Sequence, residues 1–260
     1  MKKVAKSKSV SVKKSSLKKV AKKIVKSEHS DSDRSFVISL GGSLIFDKST
    51  GQFNLDFIKE WKQLIEDYLE QGYRFVLVMG GGKTARFYQE AGRHFGYTDE
   101  QLDYLGIQAT RINALFLNFL FADKPEVFED PRKIKTWAKN NLFICGGWKP
   151  GFSTDYVSTL IAKQLGCSNL INLSDTDYIY DSDPRNNPKA KKFESLTWQE
   201  YFKIFHGDDA WQPGRHLPFD PVASKLAAKS GMSLYYLNGK NIKTIRQFLG
   251  FEKFTGTIIN

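Results

Sequence analysis

The chain has 260 residues, 39 basic against 28 acidic, a formal excess of +11, with 41% hydrophobic and 14% aromatic content. That is enough apolar material to bury a core, which excludes global disorder, and no run approaches the ~18 apolar residues of a membrane span. Two cysteines, Cys145 and Cys167, exclude a disulfide framework or a four-ligand zinc site; they read as small buried apolar residues in a reduced, cytoplasmic setting.

Charge is concentrated at one end. Residues 1–34 hold eleven lysines and Arg34 against Glu28, Asp31 and Asp33, an excess of +9. The segment lacks the apolar run of a secretory signal and the arginines of a mitochondrial presequence. Leu17, Val20, Ile24 and Val25 fall at helical spacing. It therefore reads either as a solubilising tail or as a basic arm that contacts polyanions. The remaining 35–260 is near neutral and forms the folded body.

That body alternates apolar runs with helical patterns. A strand over 35–40 runs into Gly41-Gly42-Ser43. Leu55, Ile58, Trp61, Ile65 and Leu69 predict a helix ended by Gly72, and 74–79 is a strand apolar enough to be covered on both faces. Gly80-Gly81-Gly82 precedes a helix over 83–95, then a longer one over 100–121 carrying Leu102, Leu105, Ile112, Leu115 and Phe119. A strand near 126–129, a helix over 131–139 and a strand over 141–145 lead to Gly146-Gly147. A helix over 155–165 and a strand over 169–173 reach Ser174-Asp175-Thr176-Asp177, followed by a polar stretch to 193. Then come a helix over 197–205, a loop over 206–218, a helix over 220–229, a strand over 232–237, a helix over 240–249 and a strand over 257–259. Strands alternating with helices predict an α/β fold, a mostly parallel sheet sandwiched between helices in three αβα layers.

Four small or polar loops, at 41–43, 80–83, 146–147 and 174–177, each follow the carboxyl end of a predicted strand, the edge where open parallel sheets bind ligands. Glycine lets the backbone approach an anion, and a following helix offers free N–H groups. Several such loops describe a phosphate-rich ligand, or two phosphorylated ligands facing each other. The run Gly80-Gly81-Gly82-Lys83-Thr84 is not a nucleotide P-loop, because Leu77 stands where that motif needs glycine. No dinucleotide fingerprint opens a helix either.

The chain resembles the amino acid kinase family and, within it, the archaeal-type uridylate (UMP) kinases. The resemblance rests on SLGGSL (39–44), MGGGKTAR (79–86), LDYLGIQATRINA (102–114), GGWKPGFSTD (146–155), DTDYIYDSDPRNNPKAKKF (175–193), FDPVASKLAAKSG (219–231) and GTII (256–259), in that order. It covers 36–259 and not the arm. It implies transfer of the γ-phosphoryl group of Mg-ATP to UMP, a step of pyrimidine nucleotide biosynthesis. The alternatives are another phosphate or carboxylate acceptor on the same fold, or a non-catalytic nucleotide-binding or storage member. An acceptor half over about 35–166 and an ATP half over about 167–260 follow from it.

Carried over by position, the resemblance gives Gly42, Ser43, Gly82 and Arg86 to the ATP phosphates and the transferring group. Ser174, Tyr180 and Asp183 become contacts around the ATP base and ribose. Gly81 receives the UMP phosphate, Asp103 the ribose hydroxyls, and the run Trp148, Lys149, Pro150, Gly151, Phe152, Ser153 and Thr154 wraps the acceptor. Asp155 orients active-site groups, and Lys225 reaches the ATP phosphates, which makes Arg86, Asp155 and Lys225 the catalytic set. Each has a plainer alternative: an ordinary helix cap for Asp155, a favourable dipole charge for Asp103, a solvated cation for Lys225. No metal beyond magnesium is expected, since His94, His206 and His216 show no ligand spacing. The sequence departs from the family at Tyr178, where Val-Asp-Gly usually ends, at the bulky Trp148, and at Ser39, where many members carry lysine. The resemblance also implies a homo-oligomer, a hexamer, with Phe116, Leu117 and Phe119 as a candidate contact face.

Overall fold

The computed structural model describes residues 30, 32–46, 51–121, 125–137, 141–205 and 217–260. Strands β1 (Ser35–Leu40) and β2 (Arg74–Met79) are apolar at consecutive positions because each of their faces meets a separate core. Phe36, Ile38, Leu40, Phe75, Leu77 and Met79 enter one core, while Val37, Val76 and Val78 enter the other. Successive side chains of a strand point to opposite faces, so two adjacent apolar sets require covering on both sides.

The remaining strands are β3 (Val127–Phe128), β4 (Leu142–Cys145), β5 (Asn169–Ser174), β6 (Ile179–Tyr180), β7 (Lys192–Phe193), β8 (Ser195–Leu196), β9 (Ser233–Asn238) and β10 (Thr257–Ile259). Eight of them form one sheet in the order β3-β4-β2-β1-β5-β9-β10-β8. From β3 through β9 every neighbouring pair is parallel. The last strand departs from that rule, since β10 runs antiparallel to β9 and parallel to β8. The polar stretch before residue 193 holds a small antiparallel ribbon of β6 and β7.

The helices are α1 (Leu55–Leu69), α2 (Gly82–His94), α3 (Asp99–Asn118), α4 (Thr154–Leu165), α5 (Trp198–Phe205), α6 (Pro221–Lys229) and α7 (Ile242–Leu249). On one face of the sheet lie α1, α7 and the end of α3, through Trp61, Leu64, Ile245, Leu249, Ala114 and Leu117. On the other lie α4, α5 and α6, through Val157, Ile161, Tyr201, Ala223 and Ala227. These are the three expected layers. Local signals set the boundaries: Asn54 Oδ1 accepts from Phe57 N (3.2 Å) to start α1, and Thr98 and Gln101 make a reciprocal capping box at α3.

Three expectations change. The helix over 131–139 is a single 3₁₀ turn, Pro131–Lys133, opened by Asp130. Beyond it Ile134 is buried and Trp137 packs on Phe143 beneath Arg74, so tertiary anchoring takes over from helical propensity. Helix α3 stops at Asn118 rather than 121. Of the suggested contact residues, Leu117 is buried and Phe116 packs on the core, which leaves Phe119 exposed. The helical spacing at Leu17, Val20, Ile24 and Val25, the residues His206 and His216, and most of the 206–218 loop lie outside the described residues. Both cysteines are buried free thiols, and burial pushes Cys145 up to about 12 and Cys167 to about 11. Among the described residues, no helix is long and apolar enough to cross a membrane.

Candidate active site

Because β4, β2, β1, β5 and β9 are parallel neighbours, the turns after Cys145, Met79, Leu40, Ser174 and Asn238 all rise from one edge of the sheet. At its middle the turns after β1 and β2 meet backbone to backbone. Gly82 has φ +59°, and a Cβ there would lie 2.6 Å from the Gly42 carbonyl oxygen; one on Gly42 would lie 2.6 Å from Gly82 N. Only residues without side chains permit this approach. Ser43 follows in a turn closed by Leu44 N donating to Gly41 O (2.9 Å).

The helix starts around this edge differ in one respect. Helix α4 is capped by Ser153, which accepts from Tyr156 N (3.1 Å), and α6 by Asp220, which accepts from Ala223 N (2.8 Å). The N-cap of α2 is Gly81, which has no side chain to offer, and its first turn holds no acid but does contain Lys83. Its unmet amides and positive dipole end therefore face the edge. Arg86 follows in the next turn, exposed and without an ion pair to a described residue.

A set of contacts not foreseen from the sequence comes from α3. Asn113 Nδ2 donates to Gly80 O (2.9 Å) and Gly81 O (3.3 Å), which ties α3 to the glycine turn after β2. Thr110 Oγ1 accepts from Gly147 N (2.5 Å) and donates to Ile107 O (2.6 Å). Arg111 donates to Trp148 O (3.1 Å) and Gly147 O (3.4 Å), and pairs with Glu129 (3.0 Å). Asp103 Oδ2 accepts from Gly151 N (3.0 Å). One helix therefore brackets both the glycine turn and the 146–153 loop. Within that loop Trp148 lies tilted against Phe152 (5.0 Å), which meets Tyr156 of α4 (4.7 Å), and Lys149 Nζ lies 4.4 Å from the Trp148 ring centre. Arg132 reaches the same indole at 5.0 Å. Pro150 and Gly151 form the loop's turn, and Thr154 begins α4.

On the other side of β1 a cleft of about 270 Å³ opens beyond β5 and β9. Ser174, Tyr180 and Asp183 all line it, together with Tyr178, Arg185 and Tyr236. Tyr236 OH donates to Ser174 Oγ (2.7 Å) and lies 2.8 Å from Thr176 Oγ1. Burial raises the Tyr236 phenol. Arg185 grips Asp183 with Nε and Nη2 (each 2.9 Å) and reaches Asp175 with Nη1 (3.3 Å).

Asp155 sits where β1, α4 and α6 converge. Its carboxylate accepts from Ser39 Oγ (2.9 Å) and Asp220 N (3.3 Å). Burial pushes its pKa up to about 6; the Ser39 bond opposes the rise and the Asp220 charge adds to it. The residue that stands in place of the family's usual lysine is thus itself a partner of the aspartate. Lys225 is exposed on α6 and makes no ion pair with a described residue. The structure therefore gathers Gly42, Ser43, Gly81 and Gly82 at the centre, Asp103 and 148–154 on one flank, and Ser174, Tyr180 and Asp183 on the other. Arg86 and Lys225 remain solvated cations. Among the described residues no group of three or more His, Cys, Asp or Glu side chains gathers as a metal cage.

A family model described as "Amino acid kinase family" matches residues 34–238. A "Uridylate kinase" from Methanocorpusculum labreanum is 33% identical over 226 residues, covering 86% of this chain and 94% of the relative. One from Pyrococcus abyssi is 34% identical over 209 residues, covering 79% and 90%. The crystal structure of uridylate kinase from Archaeoglobus fulgidus superposes with a TM-score of 0.71 at 29% identity, covering 86% of this chain and 99% of that one.

Proposed function

The chain belongs to the amino acid kinase family, and from that membership we propose that it is a UMP kinase, moving the γ-phosphoryl group of ATP to UMP to give UDP. One observation carries the reading. Two glycine turns touch at the centre of a single sheet edge, with a nucleoside-sized cleft on one flank and a polar-bracketed loop on the other. That is the layout needed by two phosphorylated molecules meeting tail to tail.

Phosphoryl transfer asks little covalent chemistry of a protein; it asks for in-line positioning and neutral surroundings for the equatorial oxygens. In this reading Gly42, Ser43 and Gly82 offer amides to the ATP phosphates, and Gly81 offers its amide to the UMP phosphate. The uncapped start of α2 adds its dipole. Arg86 and Lys225 have long side chains, paired with no described acid, that can reach the same phosphates, Arg86 as a planar fork and Lys225 as a point charge. Asp155 orients the groups at the junction through Ser39 and the start of α6. Magnesium enters as part of the donor, Mg-ATP, and lowers the charge on its phosphates.

For the acceptor, Asp103 holds the ribose hydroxyls, and residues 148–154 close over the nucleotide. One oxygen of Asp103 already accepts from Gly151 N, so ribose binding and the position of this loop are linked through one carboxylate. The acceptor half is 35–166 and the donor half 167–260. A role in pyrimidine nucleotide supply goes with this activity. So does a cytoplasmic setting, which the two buried free thiols support.

The test is a coupled assay of the purified chain with Mg-ATP against UMP, CMP, carbamate and isopentenyl phosphate. UDP formed from UMP, with the others slow, is the expected outcome. Turnover of another acceptor reassigns the substrate. UDP formation no faster than background, with every other acceptor inert, overturns the proposal in favour of a nucleotide-binding member without catalysis.

A homo-oligomer, with six copies as the expected number, is part of the same reading. Ile112 and Leu115 on α3 and Phe119 just past its end are 60%, 45% and 64% exposed, and Tyr88 on α2, 54% exposed, lines one groove with Ile112 and Leu115. Exposed apolar side chains at this spacing mark an association surface. Light scattering is expected to give a multiple of the chain mass, reduced by Ile112→Glu with Phe119→Glu; a monomer at all concentrations sinks the idea.

A further inference from the structure

The donor cleft differs from its family at Tyr178, and the difference has a chemical meaning. Tyr178, Tyr180, Tyr236 and Phe205 all contribute to the walls of the 270 Å³ space. Tyr180 stands edge-on to Tyr178, with ring centres 6.3 Å apart at 86°. Lys192 Nζ lies 4.6 Å from the Tyr178 ring centre and is itself held by Glu194 (2.7 Å). The backbone beneath is pinned, because Thr176 Oγ1 donates to the Tyr178 carbonyl (3.1 Å). Tyr178 is therefore a half-buried ring on the wall of the cleft, over a pinned backbone and beside a cation.

The polar groups nearby are engaged with one another. Asp183 accepts from Arg185 N, Nε and Nη2, and Asp175 from Arg185 Nη1. Asp181 accepts from Lys191 N and Ser182 Oγ (each 3.0 Å). A carboxylate only accepts, so none of these groups can read an acceptor edge of a base, and turning one toward a base amino group weakens a bond it already makes. Stacking asks for no exchange, and every base has a π face.

Resting on the phosphotransferase reading above, we infer that Tyr178 is the platform on which the donor's base stacks, and that the site selects purine over pyrimidine by ring area rather than adenine over guanine by edge. ATP and GTP both serve as donors, and a pyrimidine triphosphate serves poorly. The cleft volume lies just below the usual range of about 300–1,000 Å³ for whole ligands. It holds the nucleoside, and the phosphates extend along the sheet edge toward Gly42.

The test is calorimetric titration of the full chain with the β,γ-imido analogues of ATP and GTP and with CTP, which reads binding without turnover. The parent is expected to hold the two purine analogues within about tenfold of each other and CTP at least about tenfold more weakly. Tyr178→Ala is expected to weaken both purine analogues by about tenfold, while Tyr178→Phe stays within about twofold of the parent. Unchanged melting temperatures separate lost stacking from lost folding. A wider gap between the purines, or a Tyr178→Ala variant that binds ATP analogue as tightly as the parent or more tightly, overturns the inference; the latter makes Tyr178 an obstruction. Should this binding pattern hold while no UDP forms from UMP, the stacking site stands and the kinase reading fails.

Discussion

Gly82→Ala is expected to lower kcat/KM by at least about a hundredfold, because small misplacements of reacting groups cost that much. The new methyl meets the backbone of Gly42, which cannot step aside as a flexible side chain would, so the turns after β1 and β2 are forced apart together. Position 82 also has φ +59°, where any side chain adds about 1–2 kcal/mol of backbone strain. Gly166→Ala separates the two contributions. Gly166 has φ +62°, a methyl group placed there would meet nothing within 4 Å, and it ends α4 far along the chain from the glycine turns. It shares the strain without the clash. Turnover by Gly166→Ala near that of the parent, with Gly82→Ala nearly inactive though folded, is the expected pair of results. Equal activity losses in the two variants would show that strain alone, and not contact between the turns, governs the site.

Asp155 gives the second large effect, read as stability against pH in the ligand-free protein. Its folded pKa of about 6 lies above the ordinary 3.8, so the folded state takes up this proton before the unfolded state does. Stability from this group therefore grows as pH falls from above 6 toward 4 and is lost as pH rises through that window. Two pKa units correspond to about 3 kcal/mol at most. Asp155→Asn, which cannot ionise, is expected to flatten that slope in chemical denaturation between pH 4 and pH 7. An unchanged slope in the variant would mean that the carboxylate is not the group responsible. Ser39→Ala is the companion substitution: without that donor the carboxylate's pKa moves higher still, and the slope extends to higher pH.

Much of this layout is legible in the residues themselves. The consecutive apolar positions of 75–79 announce a strand covered on both faces, and the glycines after 35–40 and 74–79 announce turns where backbone must come close. Other parts are not legible because they depend on partners far off in the chain. Thr110, Arg111 and Asn113 do not form one stripe by spacing. Their common purpose emerges only when β2 and β4 bring Gly80 and Gly147 against α3. The segment after Asp130 carries helical propensity, yet Ile134 and Trp137 find better burial in an extended path. The antiparallel course of β10 likewise has no local signature, since three β-branched residues read the same in either direction.

The central strand has one more implication. Val37 to Leu40 pair with Leu170 to Leu173 on one side, while Ser35 to Leu40 pair with Arg74 to Met79 on the other. The floor beneath donor and acceptor is thus a single hydrogen-bonded ribbon with no seam along which the halves might swing like the covers of a book. Opening and shutting around substrates must therefore be done by the segments above the floor, and the pace of product escape belongs to them.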